Sequence, residues 1–548
     1  MDVHDPAQVL AQARDVRAQV ASIGAGILER WEPMLTRGTY RDSVRNLAHY
    51  LAMRRLDLRP LQAGLVPWGL ITLGHAESRV MESLDAVIAN LEAICDTENP
   101  GANRPSPDAF GRGARLLKEN TDAVFGPPPA GRWTRILVTL SPKAGKNIDH
   151  VRALFRAGMD CARINCARDS ENVWAGMIDN VRRVADETGR PCRVLMDLAG
   201  PKIRTRTVIA PKKGAVRAGD SILLTRDTPA GNPEFAFQTD CSIPDVLRQV
   251  AAGAKVSIRD GLIAGHVEEC REEGVVMAVD RTPPGGYPLE ALRGINFPGS
   301  ELDVSPLSED DLAALDFVAA HGDIVSYSFV QRPEDIARLQ VEVAARRPGR
   351  PPMPIVAKVE TQHAFANLPQ MIVQAAGGNP FAVMIARGDL AVEIGYERLS
   401  EVQEEILWLC EAAHPVIWAT QVLESLVKRG MPSRGEFTDA AMAERAECVM
   451  LNKGKFIDEG ITVLDNVLRR MEAHTQKRSA QLRPLKSWDA LLEPAGGGEY
   501  TTLAECARQQ ALVKKTPWTN RSVLAHPQNT AAPTCAASAS LSRTTSSP

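Results

Sequence analysis

MIARGDLAVEIG, residues 384–395, decides how the chain is read. Met384, Ile385 and Ala386 close a short apolar run, Arg387, Gly388 and Asp389 follow at once, and Glu393 comes next. A run this short and this apolar reads as a buried strand. A cation, a glycine and a carboxylate at its C-terminal end fit the mouth of a barrel, with Asp389 as one ligand of a metal ion held there.

The surrounding sequence supplies the barrel. Eight short β-rich runs share the texture: RILVTL (135–140), CARINC (161–166), CRVLMDL (192–198), DIVSYSF (323–329), PIVAKVE (354–360), AVMIARGD (382–389), PVIWATQ (415–421) and CVMLNKG (448–454). Amphipathic helical stretches alternate with them, among them SENVWAGMIDNVRRVADET, PEDIARLQVEVAAR and SEVQEEILWLCEAA. Eight β/α units predict an α/β (β/α)₈ TIM barrel. A doubly wound open sheet is the alternative, and the lack of a GxGxxG after the first run argues against its dinucleotide-binding form.

The barrel is split into 132–204 and 294–475. Between the halves, 205–293 changes texture to AGDSILLTRD, AKVSIRDGLIAGHVEEC and GVVMAVDRT, which predicts a small all-β lid domain inserted on the catalytic face. Residues 1–131 read as an N-terminal helical domain, from PAQVLAQARDVRAQVASIGAGILERWEPML and SRVMESLDAVIANLEAICD, with packing or homo-oligomer formation as its role. Residues 476–548 are small, polar and proline-rich and read as a disordered tail.

Composition narrows the function. Hydrophobic residues make up 44% and charged residues 24%, ordinary for a soluble globular chain, and a net charge of −3 gives no footprint for nucleic acid. The start, MDVHDPAQVL, lacks a secretory pattern, and the apolar uncharged run PLQAGLVPWGLITLGHA, broken by Pro and Gly, is too short to span a membrane. Ten cysteines without a CxxC pair fit a reducing cytoplasm.

Polar groups recur at the strand ends. Arg163 and Asn165 end the second run, and Asp197 ends the third, with Lys202 and Arg204 just beyond it in GPKIR. Ser328 ends the fourth, Lys358 and Glu360 stand two apart on one side of the fifth, and Thr420 and Gln421 end the seventh. A lone strand-end Asp is more often a helix cap, and a lone Lys–Glu pair more often a structural ion pair. Together they form one chemistry. Glu360 and Asp389 are hard oxygen ligands suited to a divalent cation such as Mg²⁺. Arg163, Lys202, Arg204 and Lys358 suit phosphate oxygens. A metal among cations fits phosphoryl transfer.

The motifs CARINC, MDLAGPKIRT, RDGLI, RGINFPG, AKVET, IARGDLAVEI, WATQVLESL and MPSRGEFTD stand in the order found in pyruvate kinases, which the chain resembles over roughly 133–475. The resemblance implies phosphoryl transfer from phosphoenolpyruvate to ADP, giving pyruvate and ATP. Under it, Glu360 and Asp389 bind Mg²⁺ (or Mn²⁺), Lys358 stabilises the phosphoryl group and the enolate, and Arg163 holds the phosphate. Backbone amides at Gly388 and Asp389, with Thr420, hold the carboxylate, and Thr420 delivers a proton through water. Asn165 and Arg204 face the nucleotide phosphates, Arg293 stands where the family usually has a nucleotide-binding lysine, and Asp260 matches a residue linked to lid closure. Lys202 occupies a position that tends to be Glu in K⁺-dependent members, so K⁺ is expected not to be required. Pairing of Lys202 with Asp197 alone is the plainer reading of that lysine.

The sequence also departs from the family. Ala167 and Arg168 replace a Ser and a His, Leu198-Ala199 replaces Thr-Lys, TLSP (139–142) ends the first run, and NKGKF (452–456) stands in place of SGETA. A C-terminal α/β domain with sugar-phosphate sites is expected to be missing, and the helical extension is foreign to the usual architecture. These departures keep a second reading open: a non-catalytic or regulatory relative that binds phosphoenolpyruvate or a protein partner.

Overall fold

The computed structural model describes residues 5–71, 73–98 and 100–472, with the backbone of 475–476 and 479–480. The tail expected over 476–548 lies almost wholly outside the described residues. Strands β1 (Arg135–Thr139), β2 (Cys161–Asn165) and β3 (Arg193–Asp197) open the barrel. An inserted sheet follows, formed by β4 (Thr205–Ile209), β5 (Ser221–Thr225), β6 (Phe237–Cys241), β7 (Lys255–Ile258), β8 (Ile263–Arg271), β9 (Gly274–Arg281) and β10 (Ile295–Asn296). The barrel resumes with β11 (Ile324–Tyr327), β12 (Ile355–Val359), β13 (Phe381–Ala386), β14 (Val416–Ala419) and β15 (Cys448–Leu451). The eight barrel strands close in the order β1-β2-β3-β11-β12-β13-β14-β15, every neighbouring pair parallel. The open doubly wound alternative is thereby excluded.

The side-chain period of two explains how these runs serve both structure and chemistry. Leu137, Cys161, Leu195, Ile324, Val356, Ala382, Met384, Ile417 and Met450 pack together inside the barrel. The alternate residues, such as Ile136, Val138, Ile164, Val194 and Met196, pack with the helical layer. Strands covered on both faces must be apolar on both, which is why the runs show little alternation. Following the interior phase toward the C-terminal ends, Cys161 leads to Arg163 and Asn165, Leu195 to Asp197, and Val356 to Lys358 and Glu360. The lower interior is thus apolar and the upper interior polar.

The inserted sheet runs β10-β7-β8-β9-β5-β6-β4 and has its own core of Ile222, Leu224, Val256, Ile263, Val267, Val275 and Met277. Its two stems pair with each other where Arg204 bridges Gly294 in antiparallel fashion.

The helical extension covers the opposite end. Its helices span Pro6–Trp31, Arg41–Met53, Arg59–Leu65, Val80–Ile94 and Pro107–Phe125. Arg37 N and Thr36 Oγ1 both donate to Gly377 O, at 2.9 and 2.6 Å, just before β13. Asn120 Nδ2 donates to Ala413 O at 2.7 Å, and Tyr40 OH meets His414 Nε2 at 2.8 Å, both just before β14. Val124 and Phe125 insert among the interior barrel residues as a floor. Behind them Arg135, fully buried, is held by Gly126 O at 2.7 Å and by Asp122. In barrels of this kind the N-terminal face carries stability and the C-terminal face carries chemistry. The extension sits on the former and leaves the latter open. Among the described residues no helix is long and apolar enough to cross a membrane.

Candidate active site

Three barrel strands, β2, β3 and β12, place a buried charge cluster at the C-terminal mouth. Arg163 Nε donates to Asp197 Oδ2 at 2.9 Å, its Nη2 also engages that oxygen, and its Nη1 donates to Thr139 Oγ1 at 2.9 Å. Lys358 Nζ donates to Ser328 Oγ at 2.6 Å and lies 3.1 Å from Glu360 Oε1 and 3.6 Å from Asp197 Oδ1. Glu360 Oε2 accepts from the amide of Phe329 at 2.7 Å. Phe329 stands at φ 56°, a left-handed conformation a bulky residue rarely adopts. That turn aims its N–H into the cluster, so the strain is tied to the site.

The electrostatics follow from burial and neighbours. Burial disfavours ionised Asp197, yet Lys358 and Arg163 outweigh it and hold the carboxyl below its ordinary range. Burial likewise disfavours the Lys358 ammonium, but Asp197 and Glu360 more than offset it and the pKa rises. Glu360 is raised, first by burial and then by Asp389, against the pull of Lys358. The two carboxylates therefore stand close enough to oppose each other's charge.

Around this cluster lie the remaining candidates. Lys202 Nζ reaches both oxygens of Asp389, at 2.6 and 2.9 Å. Its partner is Asp389, so the reading of Lys202 as paired with Asp197 is corrected: the chain beyond β3 carries the lysine across the mouth to β13. Gly388 N donates to Thr420 Oγ1 at 3.0 Å, joining the ends of β13 and β14. Thr420 stands at φ 65°, Gln421 at 61° and Leu423 at 46°. Such conformations in β-branched and bulky residues cost about 1–3 kcal/mol each and persist only where the surroundings enforce them.

The enforcing group is Arg387. Its Nε donates to Ala419 O at 2.9 Å and its Nη2 to Thr420 O at 2.5 Å. Asp439 pairs with the guanidinium, which stacks 4.8 Å from the Trp418 ring. Read from sequence as a strand-end cation of the mouth, Arg387 instead braces the Thr420 turn from behind. Asp439 closes the MPSRGEFTD motif, and nothing in that motif's spacing marks it as the partner of Arg387. The phase could have shown Arg387's direction, since it is one residue out of step with Ala382 and Met384.

Asn165 Oδ1 accepts from Ala167 N at 3.0 Å and shapes the β2 turn. Arg204 is half-buried, and its pKa is lowered by burial against the pull of Asp389. Among the described residues its guanidinium has no salt-bridge partner. Arg293 sits on the inserted sheet's stem, where its Nε donates to Glu290 Oε2 at 2.9 Å, and is not brought against the buried cluster. Asp260 O accepts from Tyr396 OH at 3.4 Å, a contact between insertion and barrel. Glu393, noted in sequence without a role, accepts from Asn296 Nδ2 at 3.5 Å. Burial, with Asp389 adding to it, pushes its pKa up to about 7.

Two acids on neighbouring strand ends, beside buried cations, suit a divalent ion. Mg²⁺ is commonly held by one or two carboxylates, with substrate and water completing the shell. Glu360 and Asp389 are carboxylates of that kind, and the charge of Asp389 that raises Glu360 is what a cation would relieve.

The family model "Pyruvate kinase, barrel domain" matches residues 131–457. "Pyruvate kinase PKLR" of Homo sapiens is 32% identical over 367 residues, 64% of this chain and 62% of that protein. "Pyruvate kinase" of Geobacillus stearothermophilus is 30% identical, over 63% of this chain and 58% of that one. "Pyruvate kinase" of Leishmania mexicana is 27% identical, over 72% and 79%. The chain spans about six tenths of the length of the first two. A match of more than half the chain to the family's barrel, laid over the strand-end cluster just described, leads to one conclusion: the chain belongs to the pyruvate kinase family.

Proposed function

We propose that the chain transfers the phosphoryl group of phosphoenolpyruvate to ADP, forming pyruvate and ATP. The observation that carries this reading is the buried cluster of Arg163, Asp197, Lys358 and Glu360 beside Asp389 at the barrel mouth. Glu360 and Asp389 would hold a divalent ion, Mg²⁺ or Mn²⁺, which when bound would supply positive charge to the substrate. Arg163, oriented by Asp197 and Thr139, holds the phosphate. Lys358, kept charged by its carboxylate neighbours, meets the phosphoryl group as the P–O bond breaks and then the enolate oxygen left behind. The amides of Gly388 and Asp389 stand in the first turn of a helix and receive the substrate carboxylate, the Gly388 amide giving up its bond to Thr420 Oγ1 to do so. Thr420 relays a proton through water to the enolate carbon.

On the acceptor side, Asn165, Arg204 and Arg293 hold the nucleotide phosphates. Arg204 is half-buried and, among the described residues, its guanidinium has no salt-bridge partner, while Arg293 reaches the nucleotide from the insertion, which acts as a lid. Lys202 supplies the monovalent positive charge, so K⁺ is not required. A carboxylate has about four lone-pair positions, so Asp389 can serve both Lys202 and the divalent ion. The test is a steady-state assay of purified protein with phosphoenolpyruvate, ADP and Mg²⁺ in K⁺-free buffer. Metal-dependent pyruvate formation is expected, and binding of phosphoenolpyruvate without turnover would favour the regulatory reading instead.

A further inference from the structure

On the underside, far along the strands from the barrel mouth, the extension and the barrel enclose a groove of about 540 Å³. Pro33, Met34 and Thr36 of the extension form one wall. The other is the end of helix Pro333–Arg346 and the turn after it, with Gly378 and Asn379 below. The lining contains no Asp or Glu, yet it contains Arg347 and Arg350. Among the described residues neither arginine has a carboxylate within ion-pair distance.

Arginines at helix C-termini usually answer exposed carbonyls. Arg347 answers one such carbonyl in the last turn of helix Glu309–His321, and the carbonyls at the end of helix Leu368–Gly378, across the groove, are already taken. Gln340 Nε2 donates to Gln374 O and Ala375 O, at 3.2 Å each, and Gly377 O is held by Arg37 and Thr36. Asn379 Nδ2 donates to Met353 O at 2.8 Å. Arg347 spends one arm on Ala319 O at 2.6 Å, and its Nε is buried without a partner. Burial, and after it the nearby Arg350, work against its charge, and the more distant Asp323 partly offsets them. Two guanidinium groups lining one groove, with no carboxylate in that lining, suit a dianion.

The rest of the groove sets the ligand's other half. Val341 is 68% exposed and stands beside Met34, Met353 and the prolines at 348, 351 and 352. Prolines fix φ and leave the turn little freedom to lose on binding.

We propose that this groove binds a small phosphate monoester with an apolar body: the phosphate between Arg347 and Arg350, the body against Val341 and Met34. A phosphate monoester carries close to two negative charges near neutral pH, which matches the two guanidinium groups. The proposal concerns binding at the underside and holds whether or not the mouth turns substrate over.

The test is calorimetric titration of phenyl phosphate into the full chain. Saturable one-to-one binding is expected, with inorganic phosphate, which lacks the body, and phenol, which lacks the head, each at least tenfold weaker. The double variant Arg347→Gln/Arg350→Gln should weaken phenyl phosphate more than tenfold, since it removes both charge-assisted partners of the phosphate. Val341→Glu, at an exposed position that does not disturb the core, should weaken it similarly by adding like charge. Absence of saturable binding overturns the proposal. So does unchanged affinity in both variants, which would place the ligand elsewhere.

Discussion

Replacing Lys358 by Met tests the core of the site in two independent ways. The side chain is close in volume, so the change is one of charge. In the intact cluster Arg163 and Lys358 balance Asp197 and Glu360. Without Lys358, Asp197 keeps Arg163, while Glu360 keeps the Phe329 amide as its near partner. Losing one partner of a buried pair costs about 3–5 kcal/mol when the other stays charged. Glu360 can escape that cost by taking up a proton. From the ordinary value of 4.5, doing so at pH 7 costs at most about 3.4 kcal/mol, at 1.36 kcal/mol per pH unit. Since its pKa is already raised in the intact cluster, the real cost lies below that ceiling. The sign is fixed: the folded variant binds a proton the unfolded chain releases, so its stability falls as pH rises and recovers toward pH 5. Denaturant unfolding of both proteins in EDTA between pH 5 and 8 should show the deficit growing with pH, by up to about 1.4 kcal/mol per unit. Pyruvate formation should fall by at least about 10²–10³, the usual loss for a group that meets transition-state charge. Activity within a few-fold of the parent, or a deficit flat with pH, would refute the reasoning.

Further outcomes follow from the same geometry. Glu360→Gln and Asp389→Asn should each weaken Mn²⁺ binding, measured by calorimetry with phosphoenolpyruvate present, and unchanged affinity in both would exclude a shared metal. Glu393, half-buried with its pKa raised to about 7, opposes folding once ionised, so stability should drop as pH climbs from about 5 to 8. Glu393→Gln should flatten that slope and gain at most roughly 3 kcal/mol at pH 8, less where water screens the carboxylate, and parallel slopes in thermal unfolding would count against it. The rate in K⁺-free buffer, with tetramethylammonium holding ionic strength, should not rise when K⁺ returns. Lys202→Glu should become K⁺-sensitive, and strong K⁺ stimulation of the parent would overturn the role given to Lys202.

The barrel was legible because each run is short, apolar on both faces and ended by polar residues. The site was legible where the period of two continues into the polar residues, as from Val356 to Lys358 and Glu360. It failed where the backbone changes period. At Arg387 strand becomes helix, and the guanidinium points away from the mouth toward Asp439. It also failed where one chain segment crosses to another: no spacing in GPKIR says that Lys202 will reach Asp389. The seat of the extension was hidden for a similar reason. An amphipathic helix shows that it has a buried face, and not which surface covers it. The contacts at Gly377 and Ala413 are made by backbone carbonyls, which leave no mark on side-chain pattern.

The central claim is that the buried cluster moves a phosphoryl group from an enol oxygen to a nucleotide. A ³¹P NMR time course of the purified protein with phosphoenolpyruvate, ADP and Mg²⁺ follows that phosphorus directly. The phosphoenolpyruvate resonance should disappear as the γ-phosphate resonance of ATP grows in equal amount, and neither should change with the Lys358→Met variant. A static phosphoenolpyruvate resonance, or one that turns into inorganic phosphate alone, would contradict the account.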